Sequence, residues 1–415
     1  MEVLKIATAG SVDDGKSTLI GRLLYDTKSL TDDKLEAIKK SSEQRGYDYL
    51  DFSLATDGLV AEREQGITID VAHIYFSTPT KSYIIADTPG HVEYTRNMVT
   101  GASTSQVAII LIDARRGVVE QTYRHFFINN LLRVKEIIVA VNKMDLVGYD
   151  EAVFEQIKSD FEVLNSKSTY DDQQLSYIPV SALKGDNVAE KTAAMPWYTG
   201  DTLLAHLENL ETTDVYDGEQ VRFPIQAVIR PKTDKFHDFR GYVGKIYGGN
   251  LKVGDAVTVL PSLTQSTIKE IFFFDKTYDE AVAGSSVNIT LQDDINIARG
   301  DMLVKTNELP KVEKELKATV CWMDGKHLVP GTKYLVQHNT NKVLSKIDAV
   351  HNVIAADYSG VDDTQHQLGL NEIGEVSIKL SKPLYYDGYH KNKSNGSFIL
   401  IDTQTKATAG VGFIH

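Results

Sequence analysis

A phosphate-binding loop near the N-terminus constrains this chain more than any other feature. Residues 10–17 read GSVDDGKS, a complete G-x-x-x-x-G-K-S pattern between a β-rich stretch, 2–9, and a helical stretch, 18–24. The glycines let backbone N–H groups turn toward a phosphate at a helix N-terminus, and Lys16 reaches the β- and γ-phosphates. Ser17 is the expected Mg²⁺ ligand. The residues expected to contact the nucleotide here are Gly10, Ser11, Val12, Asp13, Asp14, Gly15, Lys16, Ser17 and Thr18.

A second element, DTPG at residues 87–90, follows the apolar run 82–86. Ligands of open parallel sheets bind at the carboxyl ends of the strands, so Asp87 is expected to face the phosphate loop and hold Mg²⁺ through water. The Gly90 amide is then expected to sense the γ-phosphate. Taken alone, DTPG is equally compatible with an ordinary turn and with a nucleotide-sensing switch element. Its place after a phosphate loop favours a nucleotide site.

Two further elements indicate that the base is guanine. NKMD at residues 142–145 ends the buried run 136–141, and the Asp145 carboxylate can accept hydrogen bonds from guanine N1–H and the 2-amino group. Adenine does not offer that donor pair. Residues 181–183 follow another predicted strand, 177–180, and supply a backbone N–H for guanine O6. By itself NKMD is also typical of a strand-to-helix turn with a cap. The predicted base-binding residues are Asn142, Lys143, Asp145, Ser181, Ala182 and Leu183.

Switching and hydrolysis are assigned to residues around these elements. Thr68, in the run EREQGITID at 62–70, is expected to complete Mg²⁺ coordination only when a γ-phosphate is present; the alternative is a strand threonine. His91 is expected to orient the attacking water, a role that demands position more than basicity. Lys16, Thr68 and His91 form the predicted catalytic set, and Ser17, Thr68 and Asp87 the predicted metal set.

Other polar residues in this region receive no chemical role. His73 lies in the alternating run 69–76 and is predicted to be a strand residue. No arginine finger is identified, because several arginines are available and a solvated surface position is the default for each. These are Arg63, Arg96, Arg115 and Arg116. We therefore expect slow intrinsic turnover that a partner stimulates.

Composition narrows the class of protein. The 415 residues are 42% hydrophobic and 24% charged, which fits two or three globular domains. A net charge of −13 argues against a generally basic nucleic-acid surface.

No apolar run approaches the roughly 18 residues of a membrane span, and the N-terminus begins with a core strand, so we expect a cytoplasmic protein without membrane contact. The only cysteine, Cys321, excludes an internal disulfide and is expected in a core.

The pattern of the sequence changes after about residue 210. Before it, helical patterns alternate with strands. From 222 onward, short alternating segments such as 256–260 and 286–291 are separated by turns such as 248–250. The predicted fold is α/β plus all-β: a P-loop GTP-binding domain, with a mostly parallel sheet flanked by helices, followed by two antiparallel β-barrels. The predicted domains are 1–212, 213–307 and 308–415, with a linker at 306–310.

The motifs together resemble a known class of proteins. Gly66-Ile67-Thr68-Ile69 and Asp87-Thr88-Pro89-Gly90-His91, followed by two barrels, resemble the elongation factor Tu class of GTPases over essentially the whole chain. Within that class, translation factors usually carry histidine at the second and fifth positions of the phosphate loop, whereas this chain has Ser11 and Asp14. Residues 10–26, 84–91, 94–98, 101–104, 111–117 and 396–402 are similar to the GTPase subunits of bacterial sulfate adenylyltransferases.

This resemblance implies a regulatory subunit that binds GTP/GDP and Mg²⁺. Its GTP hydrolysis would drive formation of adenosine 5′-phosphosulfate and pyrophosphate from ATP and sulfate on a small catalytic subunit, in a heterodimer or a larger assembly. The chain stops at His415, so an appended adenylylsulfate kinase domain is not expected. Two alternatives remain: an elongation-factor-like carrier of aminoacyl-tRNA, and a free-standing regulatory GTPase. Residues 92–93 and 99 depart from the usual pattern, so the partner-facing second switch is expected to differ in detail.

Overall fold

The N-terminal half of the chain is built on one six-stranded sheet. The structure is a computed structural model that describes residues 2–44, 46–47, 49–55, 71–89, 95–211, 220–231, 239–274 and 276–415. The strands of this sheet follow the order β2-β3-β1-β4-β5-β6, and only β2 runs antiparallel to its neighbour. They are β1 (Glu2–Ala9), β2 (Ala72–Ser77), β3 (Lys81–Asp87), β4 (Val107–Asp113), β5 (Glu136–Asn142) and β6 (Gln174–Pro179).

Helices lie between and after these strands, and most of them bury several apolar side chains. Helix α1 shows the pattern: Leu19, Ile20, Leu23 and Leu24 belong to the same buried cluster as the strand residues of β1 and β4. The helices are α1 (Lys16–Asp26), α2 (Asp32–Gln44), α3 (Thr95–Ala102), α4 (Glu120–Leu131), α5 (Glu151–Asn165) and α6 (Leu203–Asn209). Short 3₁₀ turns cover Phe52–Ala55 and Met144–Val147.

The centre of the sheet explains why its polar residues gather at one edge. Every residue of β4 and β5 is buried, as expected for central parallel strands that are covered on both faces. Register places Thr8 opposite Asp87 and Asp113 opposite Asn142. The carboxyl ends of β1, β3, β4 and β5 therefore present their last residues on the same edge, beside the loop that follows β1.

The rest of the chain is β-structure in its described residues. Two antiparallel rings of six strands close on themselves, β10-β15-β7-β8-β14-β11 and β16-β23-β22-β17-β18-β21. The strands are β7 (Phe223–Ile229), β8 (Gly241–Lys245), β9 (Leu251–Lys252), β10 (Ala256–Leu260), β11 (Thr264–Phe273), β12 (Lys276–Tyr278), β13 (Glu280–Ala281), β14 (Ser286–Leu291), β15 (Met302–Lys305), β16 (Lys311–Trp322), β17 (Lys333–His338), β18 (Asn341–Val350), β19 (Val353–Ile354), β20 (Val361–Asp362), β21 (Ile373–Tyr386), β22 (Ser397–Asp402) and β23 (Thr408–Ile414).

A buried ion pair joins the two barrels. Arg222 is fully buried, and its Nε and Nη2 donate to Asp387 Oδ2 and Oδ1 at 2.8 and 2.9 Å. Arg222 Nη1 donates to the Glu308 carbonyl at 2.7 Å, and Asn395 Nδ2 donates to Asp387 Oδ2 at 2.7 Å. A buried pair with these extra hydrogen bonds is costly to break from one side, on the order of 3–5 kcal/mol. The contacts hold the barrels together as parts of one unit.

The residues divide into two compact units: 1–213 with 356–360, and 214–355 with 361–415. The predicted fold class is confirmed, and so are His73 as a strand residue and Cys321 as a core residue. The boundaries near 213 and 308 stay predictions. Among the described residues, no helix combines the length and the apolar character needed to cross a membrane.

Candidate functional site

The phosphate loop has the conformation that its sequence predicts. Gly15, the N-cap residue of α1, has φ +93°, and Asp13 has φ +68°, so the chain turns twice through the left-handed region. A Cβ on Gly15 would lie against Asn142 Nδ2, which explains glycine at this position. Ser11 N donates to Asp14 Oδ2 at 2.6 Å and Asp14 N donates to Ser11 O at 3.2 Å. These two bonds close the loop on itself.

Lys16 lies across this loop. Its Nζ donates to Gly10 O at 2.7 Å and to Ser11 O at 3.3 Å, and the residue is buried. Burial lowers the pKa of Lys16, whereas the charges of Asp87, Asp14 and Asp13 raise it. The cation is therefore held among carboxylates at the helix N-terminus, where a phosphate would find both the ammonium and the helix dipole.

Three side chains hold successive carbonyls on the outer side of the loop. Arg116 Nη1 donates to Val12 O at 3.4 Å, Lys143 Nζ donates to Asp13 O, and Asn142 Nδ2 donates to Asp14 O at 2.8 Å. In a planar trans peptide the C=O and the following N–H point in opposite directions. The three contacts therefore fix the peptide planes and turn the following N–H groups toward the inner side of the loop.

Asn142 also connects the phosphate loop to the predicted base loop. Its Oδ1 accepts from Ala182 N at 2.9 Å, and the side chain is buried. Asp145 Oδ1 accepts from Ser181 Oγ at 2.7 Å, and Lys184 N donates to the same hydroxyl at 3.3 Å. Leu183 lies at the surface, with 36% of its area exposed. The structure thus brings the NKMD and SAL residues together beside the phosphate loop.

The oxygen ligands predicted for Mg²⁺ lie on the same edge. Asp87 ends β3, is buried, and accepts from Thr8 Oγ1 at 3.2 Å. Ser17 is a partly buried residue of the first turn of α1. A carboxylate and a hydroxyl are the hard ligands that Mg²⁺ prefers, so these residues fit the ion. Within the described residues, no group of three or more His, Cys, Asp or Glu side chains could hold a metal by itself.

Asp14 places a buried carboxyl in the phosphate loop. Burial raises its pKa, whereas the hydrogen bond from Ser11 and the charges of Lys16 and Arg116 lower it. Arg116 Nη1 lies 3.9 Å from Asp14 Oδ1. The carboxyl acts on the shape of the loop through Ser11 N.

Several predicted residues lie outside the described residues. They are Thr68, Gly90 and His91, together with Arg63 and the rest of the 62–70 run. Their roles stay predictions. Of the other arginines, Arg115 binds Asp113 and Arg116 contacts the outer side of the phosphate loop.

Two buried residues near this site were not predicted from the sequence. Asp113 ends β4 and binds Lys143; its position at the end of a strand, like that of Asp87, was an available signal. His125 on α4 is 1% exposed, and its Nδ1 has no hydrogen-bond partner within the described part of the chain. Burial, with smaller effects from Lys16 and Arg124, lowers the pKa of His125 to about 3. No sequence signal distinguished His125 from a surface histidine.

Comparison with known proteins agrees with this geometry. Residues 1–227 match the elongation factor Tu GTP binding domain family, and residues 315–415 match the GTP-eEF1A C-terminal domain-like family. The bifunctional enzyme CysN/CysC of Mycobacterium tuberculosis is 47% identical over 413 residues, which cover 99% of this chain and 67% of that protein.

Two further relatives carry the same type of name. Sulfate adenylyltransferase subunit 1 of Aliarcobacter butzleri is 47% identical over 417 residues, covering 100% of this chain and 87% of that protein. The protein of the same name from Alteromonas mediterranea is 46% identical, with the same coverage of both chains. The chain therefore belongs to the sulfate adenylyltransferase subunit 1 family, and its N-terminal part belongs to the elongation factor Tu GTP-binding domain family.

Proposed function

We propose that this chain is the GTPase subunit of a sulfate adenylyltransferase. GTP hydrolysis on this chain drives formation of adenosine 5′-phosphosulfate and pyrophosphate from ATP and sulfate on a partner catalytic subunit. The observation that carries the nucleotide part is the double contact of Asn142, which joins Asp14 of the phosphate loop to Ala182 of the base loop. The sulfate part is supported by full-length similarity to relatives named sulfate adenylyltransferase subunit 1.

Guanine selection follows from the residues beside Asn142. Asp145 is the proposed acceptor for guanine N1–H and the 2-amino group, and its hydrogen bond from Ser181 Oγ supports one orientation of the carboxylate. Ala182 and Leu183 are the proposed source of a backbone N–H for O6. A carboxylate that is held in place discriminates strongly between guanine and other bases, because a base without the donor pair leaves the carboxylate unpaired.

Binding of the phosphates is assigned to the loop and to Lys16. The N–H groups on the inner side of the loop and the N-terminus of α1 surround the β-phosphate, and Lys16 Nζ leaves the carbonyls of Gly10 and Ser11 for phosphate oxygens. Ser17 and Asp87 would hold Mg²⁺, with Thr68 as the proposed additional ligand when GTP is bound. Mg²⁺, when bound, neutralises charge on the β- and γ-phosphates.

Hydrolysis is assigned to position and electrostatics, without a covalent intermediate. His91 orients the attacking water, the Gly90 amide senses the γ-phosphate, and Lys16 stabilises developing charge. Loss of the γ-phosphate releases Thr68 and with it the switch segment. This sequence of events gives the partner subunit a signal that depends on hydrolysis.

The name "subunit 1" of the relatives supports a second chain in the assembly. We place the ATP and sulfate sites on that partner, because the sequence has one phosphate loop. The proposed assembly is a heterodimer or a larger complex in the cytoplasm.

The test combines this chain with its cognate small catalytic subunit. Initial rates of adenosine 5′-phosphosulfate formation are measured with and without GTP, for the wild type, for Lys16→Ala and for a surface control, Lys158→Ala. GTP should stimulate the wild type and Lys158→Ala but not Lys16→Ala. No complex and no stimulation would contradict the proposal, and binding of aminoacyl-tRNA by the GTP form would replace it with the carrier function.

A further inference from the structure

An acidic residue without an assigned role lies at the nucleotide site. Asp113 is the last residue of β4, it pairs in register with Asn142 on β5, and it is 1% exposed. The backbone that follows Asp113 is also bonded to the end of β5, because Ala114 N donates to Asn142 O at 2.9 Å. Asp113 therefore occupies the sheet edge that carries Asp87 and Asn142.

The Asp113 carboxylate binds two cations. Oδ2 lies 3.0 Å from Lys143 Nζ and 2.6 Å from Arg115 Nη2, while Oδ1 accepts from Arg115 Nε and Arg115 N, each at 3.0 Å. Burial by itself would raise the pKa of Asp113, but the hydrogen bonds from Arg115 and Lys143 hold it well below its usual range. The carboxylate is therefore charged whenever the protein is folded at ordinary pH.

Lys143 links the Asp113 carboxylate to the phosphate loop. A lysine ammonium ends a flexible four-carbon chain, so its position must be fixed by partners. In the part of the chain that the structure describes, Lys143 Nζ has two such partners, Asp113 Oδ2 and the carbonyl of Asp13 in the loop. Lys143 lies in a turn at the end of β5, where its backbone has φ +65°. Without Asp113, the ammonium would lose the contact that keeps it against Asp13.

We propose that Asp113 is a positioning residue for guanine-nucleotide binding: it holds Lys143 against the Asp13 carbonyl and so keeps the phosphate loop in its binding conformation. The inference rests on the proposed guanine-nucleotide function and adds a residue to it. Asp113 acts through Lys143. The Asp13 carbonyl lies on the outer side of the loop, so we expect the same effect on GDP and on GTP.

Arg115 supplies a matched control. It binds the same carboxylate through Nε and Nη2, and its side chain is 49% exposed. Among the described residues, the Arg115 side chain donates only to Asp113, and no hydrogen bond joins it to the phosphate loop. A role of Asp113 that is only structural would make Arg115 and Lys143 equivalent partners, whereas the proposed role makes Lys143 the partner that matters for nucleotide binding.

The experiment measures dissociation rates of fluorescent GDP and GTP analogues from the full chain. The variants are Asp113→Asn, Arg115→Gln, Lys143→Met and the double variant Asp113→Asn/Lys143→Met. Asp113→Asn should release both nucleotides about tenfold faster, the effect of one charge-assisted hydrogen bond. Its KM for GTP should rise while kcat at saturating GTP stays unchanged. Arg115→Gln should stay within about twofold of the wild type.

The double variant makes the result decisive. If Asp113 acts through Lys143, adding Asp113→Asn to Lys143→Met should change the rates by less than about twofold. Wild-type dissociation from Asp113→Asn, or a full effect of that change in the Lys143→Met background, would overturn the inference.

Misfolding of the variants is also informative. If Asp113→Asn alone does not fold, the comparison of Lys143→Met with the double variant decides, and failure to fold in both backgrounds would overturn the inference in favour of a structural role. A wild-type chain that binds no guanine nucleotide would instead contradict the proposed function.

Discussion

Replacing Asn142 by alanine tests the connection between the two halves of the nucleotide site. The side chain is 2% exposed and makes two hydrogen bonds, to Asp14 O at 2.8 Å and from Ala182 N at 2.9 Å. Asn142→Ala removes both and leaves a buried carbonyl and a buried N–H without these partners. Asp14 and Ala182 are themselves 3% and 1% exposed, so water does not replace the bonds unless the loops move.

The magnitude follows from the cost of a buried unpaired polar group. Each such group costs about 1–3 kcal/mol, so two of them cost the ordered site about 2–6 kcal/mol in Asn142→Ala. We expect the loops of Asn142→Ala to relax and expose both groups to water more readily when no nucleotide is bound. The penalty then falls mainly on the bound state, and an affinity loss of about 1.4 kcal/mol or more corresponds to at least tenfold weaker binding.

The assay measures dissociation of a fluorescent GDP analogue and the free energy of unfolding in urea. A matched control is Asn130→Ala. Asn130 is 4% exposed, and its Oδ1 accepts from Thr169 N and Oγ1 at 3.3 and 3.0 Å, away from the nucleotide residues. Asn130→Ala should lower the free energy of unfolding without changing the dissociation rate. Wild-type dissociation from Asn142→Ala, or equal acceleration in Asn130→Ala, would show that the Asn142 hydrogen bonds do not organise the nucleotide site.

Three further predictions concern base selection, hydrolysis and pH. Asp145→Asn should shift preference from GTP toward xanthosine triphosphate in a competition assay, because an amide replaces one acceptor; unchanged preference for GTP would remove Asp145 from base recognition. His91→Ala should leave GDP affinity unchanged and slow single-turnover hydrolysis by about 10²-fold or more, and a normal rate would exclude His91 from the mechanism. The folded pKa of His125, about 3, lies below the ordinary 6.5, so the unfolded chain binds more protons between these values and stability falls as pH decreases through that window. Between pH 8 and pH 5, the free energy of unfolding of the wild type should therefore fall by about 2 kcal/mol because of this residue. In urea unfolding at the two pH values, His125→Gln should lack that decrease. Equal decreases in both proteins would contradict the low pKa of His125.

The fold was most predictable where local pattern and tertiary environment agree. The alternating runs at 256–260 and 286–291 became strands with those bounds. Strand β23 was not predicted, because Gly410 and Gly412 weaken its pattern; a Cβ at these positions would meet the rings of Trp322 and Phe398. That reason for glycine exists only in the folded barrel.

Helix α2 was not predicted either, for a different reason. It spans a polar stretch in which only Ile38 and Ser42 are buried, so it has almost no apolar periodicity. The acidic residues Asp32 and Asp33 in its first turn favour a helix N-terminus, but a signal of this size is weak beside the absence of an apolar face.

In the candidate site, the residues were predictable from the sequence but their contacts were not. The motif residues were predictable because each follows a strand, and parallel strands bring their carboxyl ends to one edge. The contacts that organise them were not: Asn142 reaches Asp14, and Lys143 reaches both Asp13 and Asp113, across long separations in the chain. Spacing identifies which residues meet at the edge, whereas the choice of partner depends on register and side-chain direction.

The final yield of adenosine 5′-phosphosulfate shows whether GTP hydrolysis on this chain drives sulfate activation. The complex with the small catalytic subunit is incubated with ATP and sulfate until the product concentration is constant, with GTP, with a non-hydrolysable GTP analogue, or with neither. A subunit that only accelerates the reaction changes the time needed but leaves the final concentration unchanged. Coupling of GTP hydrolysis to sulfate activation predicts a higher final concentration with GTP than with the analogue. Equal final concentrations in all three conditions would contradict it.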